Sequence, residues 1–327
     1  MKKSSLSLQF WGVRGSIPVS PSPVFWKNHI GFVLEDYFQA FTKTKISVSE
    51  YMAQKDVPEV AGFGAATTCV EVVSDVGRLI IDGGSGIRSL SEQIMRGNHG
   101  TMKGPHHILM THFHWDHVIG LPFFSPHFVP GAEIHYYAVQ NELPDLIRGI
   151  FHKPYFPVPF DRLPSKIHFH ILEPRTKFKI ADMEITPYKL DHPDPCWGYR
   201  INSGGKGYAH CVDTEGTRVS VQDLGADLPL YQNADLMYFD AQYTLPELAE
   251  KANWGHSASQ VGLDIAMREK IKYVLFAHHD PGASLEDMNN LRLQTGEYHT
   301  WLQSQQRGEA KHNFTWEFAY EGMIVHL

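Results

Sequence analysis

Thr111-His112-Phe113-His114-Trp115-Asp116-His117, set directly behind the apolar run Ile108-Leu109-Met110, constrains this chain more than any other stretch. Three imidazoles and a carboxylate within six residues are costly to hold together unless something positive sits between them. In extended backbone successive side chains point to opposite faces, so His112, His114 and Asp116 share one face. His117 joins them only if the chain turns there. Neutral imidazole and carboxylate are the usual donors to zinc and related divalent ions. The bland alternative is a solvated loop that happens to be rich in histidine.

At 327 residues and 43% hydrophobic, the chain can bury a full core, as one large domain with insertions or as two smaller ones. Its 29 basic and 36 acidic residues give a formal charge of -7 with no long run of either sign. That argues against a partner held by a broad basic surface, such as long duplex nucleic acid, but leaves room for a small phosphorylated substrate facing a metal ion. The three cysteines, Cys69, Cys196 and Cys211, are odd in number and contain no Cys-x-x-Cys pair. They suggest a reducing compartment, with Cys196 read as a buried thiol although it lies four residues after His192. The start, Met1-Lys2-Lys3-Ser4-Ser5, has no apolar run behind it, and nothing approaches a membrane span. The chain reads as soluble and cytoplasmic.

Runs rich in β-branched and aromatic residues predict strands at 6–11, 69–73, 78–81, 108–110, 134–137, 185–190, 208–212, 236–239 and 273–276. Several end in a polar residue with chemical potential: Asp82, His112, His192, Asp213, Asp240 and His278. That is the layout of a sheet edge bearing a site on the loops after its strands. Helices are expected over 86–96, from a Ser257-x-x-Gln260 capping box onward, and over 285–305. The tail, 314–327, alternates enough for two strands turning at Glu321-Gly322. Interspersed strands and helices imply a mixed α/β domain. Residues 20 to about 64 read as an insertion, with an amphipathic piece at 32–41. The proline-rich aromatic segment 152–160 either walls a pocket or plugs the core edge.

His112-x-His114-x-Asp116-His117 resembles the central motif of the metallo-β-lactamase superfamily. Further stations of that superfamily follow in Ile81-Asp82-Gly83-Gly84, Leu190-Asp191-His192-Pro193, Val212-Asp213-Thr214 and the strand that ends at His278. Trp11-Gly12-Val13-Arg14-Gly15-Ser16, Gly198-Tyr199-Arg200-Ile201 and Gly255-His256-Ser257 resemble the phosphodiesterase branch, which includes ribonuclease Z and bacterial cyclic-nucleotide phosphodiesterases. The chain departs from those relatives in three places. It has no glycine- and proline-rich arm of the kind that grips tRNA; Ala258 replaces a more familiar threonine; and Ala65-Ala66-Thr67-Thr68-Cys69 stands where relatives often have Gly-Asn-Thr-Ser-Cys.

The resemblance implies an αββα sandwich of two mixed sheets flanked by helices, formed by residues 1–327 as a single domain with the insertion at about 20–64. It implies two Zn2+ per chain, with Mn2+ an alternative that ligand type does not separate. His112, His114 and His192 would hold the first ion and Asp116, His117 and His278 the second, with Asp213 bridging them. His279 competes with His278 for that last role, because two adjacent histidines end one strand. Two such ions about 3.5–4 Å apart clamp the oxygens of a phosphoryl displacement and lower the pKa of a bound water to about 7, giving hydroxide at neutral pH. Asp116, His256 and Asp240 form the implied catalytic set, with His256 the general acid held by Asp240. Asp82 is expected to support a ligand histidine or the bridging water, and Arg14 and Tyr155 to meet the substrate. His114, where redox relatives carry glutamate, favours hydrolysis.

The expected substrate is a small phosphodiester, cyclic nucleotides foremost. An RNA 3′-end nuclease, a thioester or lactone hydrolase and a non-catalytic metal-bound sensor are the alternatives. A homodimer without membrane attachment is the expected state, and nucleic acid is a less favoured partner.

Overall fold

The computed structural model describes residues 6–218, 220–307 and 311–327; the charged start at 1–5 lies outside the described residues. Strands form where β-branched and aromatic residues are densest. They are β1 (Ser7–Gly12), β2 (Cys69–Val73), β3 (Arg78–Ile81), β4 (His106–Leu109), β5 (Glu133–Ala138), β6 (Lys166–Ile171), β7 (Phe178–Ile180), β8 (Met183–Lys189), β9 (Trp197–Ser203), β10 (Lys206–Cys211), β11 (Leu236–Asp240), β12 (Tyr273–Ala277), β13 (Thr315–Phe318) and β14 (Ile324–His326). Two seven-stranded sheets result, ordered β14-β1-β2-β3-β4-β5-β6 and β13-β12-β11-β10-β9-β8-β7. In the first, β3 to β6 run parallel. In the second, β10 to β13 do.

The inner faces of the sheets share one core, in which Phe10 of β1 stacks on Tyr238 of β11 with ring centroids 4.9 Å apart. Outside the first sheet, helix Ile87–Met95 buries Ile87, Leu90 and Ile94. Outside the second, helix Ser259–Glu269 buries Leu263, Ile265 and Ala266, and helix Leu285–Ser304 buries Met288 and Leu291. Each such large apolar side chain contributes about 1.5–3 kcal/mol on burial. The architecture is the expected αββα sandwich. Among the described residues no helix is long and apolar enough to cross a membrane.

Two local expectations change. Ser257 does not open a capping box: the helix starts at Ser259 with Ala258 as its cap. The Ser257 N–H donates instead to Asp240 Oδ1 at 3.0 Å and its hydroxyl to the Glu215 carbonyl at 3.1 Å, because a buried carboxylate outcompetes a helix end for donors. The two tail strands form with their turn at Glu321-Gly322 as expected; β13 pairs with β12 and β14 with β1, so the turn passes from one sheet to the other. The insertion is more helical than its polar stretch suggested, with helices Pro23–Thr44, Val48–Gln54 and Val57–Ala61. Its two ends meet where the Val19 N–H donates to the Ala65 carbonyl at 2.9 Å.

The proline-rich segment plugs the core edge. Phe156 packs edge-on against Phe151 at 5.5 Å, and Phe160 stacks on Phe169 at 6.1 Å.

Candidate metal centre

Every residue of the expected ligand set lies at one end of the sandwich, beyond the carboxyl ends of parallel strands or the loops beside them. His112 follows β4, Asp213 follows β10, Asp240 ends β11 and His278 follows β12. A twisted parallel sheet splays its strand ends there, leaving a crevice that loops can line. Asp82, Asp213 and His278 turn into it with left-handed backbone (φ 61°, 58° and 61°), a conformation that costs a non-glycine residue about 1–2 kcal/mol. His114 caps the short helix Trp115–Val118, and that turn brings His117 back to the face of His112.

The donors fall into three overlapping groups with ligand atoms all within 4.8 Å of one another: His112, His114 and His192; Asp116, His117, Asp213 and His278; and Asp213, Asp240, His256 and His278. Asp213 joins them, its Oδ1 lying 3.8 Å from His112 Nε2 and its Oδ2 2.9 Å from His117 Nε2 and 3.1 Å from His278 Nε2.

For each imidazole one nitrogen is engaged by the protein and the other is left toward the centre. His117 Nδ1 lies 2.8 Å from Asp82 Oδ2, and Asp82 also accepts from the N–H and hydroxyl of Thr111. His278 Nδ1 contacts Gln242 Oε1 at 2.9 Å, and His192 Nδ1 the Asp194 carbonyl at 3.0 Å. His112 Nδ1 lies 3.2 Å from the Thr111 hydroxyl. His114, half-exposed, reverses the pattern: its Nε2 meets Asp194 Oδ2 at 2.8 Å, so Nδ1 is its free donor.

The donor set fits a cation. His112 Nε2, His117 Nε2, His192 Nε2 and Asp213 Oδ2 are buried and without a hydrogen-bond partner, although two of them are only 2.9 Å apart. Atoms so close yet not aligned as donor and acceptor are arranged to meet a third body. Unsatisfied polar atoms cost about 1–3 kcal/mol each, and four in one place are held for a ligand.

Charge follows position. Burial, and then neighbouring His117, push the His112 imidazole well below its ordinary pKa, and burial likewise lowers His192; both stay neutral and ready to ligate. Burial also opposes charge on His117 and His278, but the carboxylates outweigh it. Asp213, Asp82 and Asp116 raise His117, while Asp213 and Asp116 lift His278 to about 10. Asp213 resists burial in the same way and stays well below the usual carboxylate range beside His278 and His117. Asp116, His117, Asp213 and His278 would hold an ion only with both imidazoles neutral, so its affinity would rise with pH.

Beside the bridge, His256 Nδ1 lies 3.0 Å from Asp240 Oδ2 and its ring stacks on His278 at 4.9 Å. Asp240 also accepts from the backbone N–H groups of Asp213, Gln242 and Ser257, which fix its orientation. Among the described residues His256 is held through Nδ1 and not through Nε2.

Three expectations about individual residues resolve here. His278 faces the centre, whereas His279 points away and contacts the Ala319 carbonyl at 2.7 Å. Arg14 does not stand free for a phosphate: it is buried, and its guanidinium donates to the backbone carbonyls of Gly64 and Asp280 at 3.0 and 2.8 Å. It ties the end of β1 to the segments around it. Tyr155 is 87% exposed and, among the described residues, has no hydrogen bond or ring contact with the cluster, because Phe156 takes the buried position of that loop. The sequence reading missed Asp194 and Gln242, which orient ligands. Asp194 lies two residues after His192, a usable cue, whereas nothing in its own spacing marks Gln242. Cys196 is buried with its Sγ 3.7 Å from His112 Nδ1, and burial raises its thiol well above the ordinary range, so it stays protonated.

A fold of this kind, with imidazole and carboxylate donors gathered at one end, defines the class: a metal-dependent hydrolase. Residues 77–279 match the model of the beta-lactamase superfamily domain, and the chain belongs to that superfamily. Among curated proteins it is similar to ribonuclease Z of Streptococcus suis, 26% identical over 237 residues that span 57% of this chain and 74% of the relative. Among solved structures it resembles the metallo-β-lactamase fold protein YhfI from Bacillus subtilis, with TM-score 0.64, 15% identity and coverage of 99% of this chain and 100% of that one. It also resembles unliganded yeast PDE1, with TM-score 0.63, 13% identity and 99% coverage of each chain.

Proposed function

We propose that this protein is a dinuclear zinc phosphodiesterase acting on small cyclic nucleotides. The observation that carries the reading is the His256–Asp240 pair set against the bridging Asp213, with His256 Nδ1 3.9 Å from Asp213 Oδ1. Phosphodiester cleavage expels a poor alkoxide leaving group, which needs a proton at the moment it departs. Thioester and lactone hydrolysis makes less demand on such an acid.

When bound, two divalent ions supply Lewis acidity and water activation. The chain does the rest. His112, His114 and His192 with Asp213 would hold one ion, and Asp116, His117 and His278 with Asp213 the other. Asp82, Gln242 and Asp194 fix the rings they touch, so the ligands lose little entropy when an ion arrives. Asp240 orients His256 through Nδ1, leaving Nε2 to protonate the leaving oxygen. Zinc suits the imidazole-rich set, with manganese the second choice.

The small substrate class is supported by the net charge of -7 and by the lack of a tRNA-gripping arm in the sequence. Similarity to ribonuclease Z favours a second reading, cleavage at RNA 3′ ends. A panel of cyclic nucleotides, other phosphodiesters and short RNAs, with His114→Ala as the inactive control, separates the two. Turnover confined to RNA, and falling steeply with salt, would overturn the cyclic-nucleotide reading. His256→Ala should retain its metals yet lose about 10²–10⁴-fold in kcat on alkyl leaving groups, with a smaller loss on p-nitrophenyl esters. Equal losses on both would remove His256 as the acid. A cytoplasmic homodimer is part of the same proposal: the three cysteines are free, and light scattering reads the mass.

A further inference from the structure

Away from this centre, the outer strands of the first sheet carry a second concentration of imidazoles. In the parallel pair β5–β6, His135 lies opposite His168, and Tyr137 opposite His170. His107 of β4 lies opposite His135. Residues two apart in a strand face the same way, so a His168-x-His170 pair on one strand and His135 on the next project from one face.

The side chains meet. His135 Nδ1 is 3.0 Å from His170 Nε2. The His135 ring stacks on His168 at 4.6 Å and on His170 at 5.3 Å. Tyr137 fixes the back of the group, its ring stacked on His170 at 4.4 Å and its hydroxyl 2.9 Å from His107 Nδ1. Burial first, and then the neighbouring imidazoles, hold His135 and His170 below the ordinary pKa, so both are neutral at pH 7.

Two nitrogens 3.0 Å apart nearly match the spacing of two corners of a tetrahedral zinc shell, about 3.3 Å for bonds near 2.05 Å. Aromatic stacking accounts for rings at these positions. A hydrogen bond between His135 and His170 accounts for two of them being imidazoles but not for His168 beside them, and all three repel one another once charged.

We propose that His135 and His170, joined by His168 after a turn of its ring, form a second transition-metal site for a borderline divalent ion such as Zn2+, Cu2+ or Ni2+. β6 is the outermost strand of its sheet, so an ion there clips an exposed edge to the strand beside it. His135 and His170 are half-buried and His168 is exposed, which leaves a path for entry.

The test uses zinc-loaded full-length protein dialysed against Cu2+, with elemental analysis and electron paramagnetic resonance. One copper per chain with nitrogen hyperfine coupling, and zinc and turnover retained, is the expected result. His135→Gln and His170→Gln should each weaken copper binding by about tenfold or more while keeping zinc and turnover, which shows that the fold survives. The proposal fails if the wild type takes up no copper, if both variants bind it as the wild type does, or if copper enters only by expelling zinc with loss of turnover.

Discussion

Single side chains decide whether this centre is ready before an ion reaches it. His114 is the weakest member, half-exposed and held through Nε2 by Asp194, itself mostly exposed. Asp194→Ala should lower metal affinity about 10–100-fold, read by competition with a chromophoric chelator, without unfolding the protein. Elsewhere a buried histidine makes stability depend on pH on the acid side. His127 is buried beneath Phe124 and Phe151, with Nε2 2.9 Å from the Tyr136 hydroxyl, and burial lowers its pKa to about 3. The unfolded chain binds that proton near pH 6.5 and the folded chain only near 3, so its contribution is complete above 6.5 and fades as the pH falls. His127→Gln should therefore shrink the stability gap between pH 7 and pH 5 by about 2 kcal/mol in urea melts. An unchanged gap would mean that the ring is hydrated in the native state.

Strand ends and one helix set the geometry at the next scale. Gly255 has φ +89°, and a Cβ there would lie 2.3 Å from His192 Cδ2, so the loop before His256 presses directly on the His192 ring. On the helix behind, a Cβ at Gly262 would lie 2.7 Å from the rings of Phe239 and Phe276. Gly262→Ala should cost about 1–3 kcal/mol in thermal or urea unfolding, by forcing the helix off β11 and β12, despite the better helix propensity of alanine. The strand ends were legible in the sequence because apolar runs stop at Asp82, His112, Asp213, Asp240 and His278, residues with no other reason to end a buried strand. The choice between His278 and His279 was not, since alternation fixes only that they diverge; the contact of His279 with Ala319 is tertiary. For the same reason Ser257 looked like a cap: its true partner, Asp240, is 17 residues away.

Over the whole molecule, the insertion is an appendage whose contacts are largely its own. Helix Pro23–Thr44 has no buried residue, and Lys55 and Tyr51 bond Asp36 within the same segment. Because residues 19 and 65 already touch, replacing 21–62 with a short glycine–serine turn should leave a cooperative thermal transition and turnover of an activated diester. Loss of the transition would show that the insertion holds the core together. Its helices were only partly legible, since their polar composition fits exposed helix and loop alike. Strands β6, β7 and β9 escaped notice: the apolar positions of Lys166–Ile171 alternate with lysine and histidine, which weakened the strand signal.

The donors are also divided by origin: His112, His114, Asp116 and His117 come from loops of one sheet, and His192, Asp213 and His278 from loops of the other. Any cation bound by both groups would thus be a rivet through two halves held otherwise by apolar packing and a few hydrogen bonds, such as that from the Tyr199 hydroxyl to the Met110 carbonyl at 2.7 Å. Pulled apart in a force spectrometer, the loaded protein should yield at a distinctly higher force than the chelated one, and should come apart first at the opposite end.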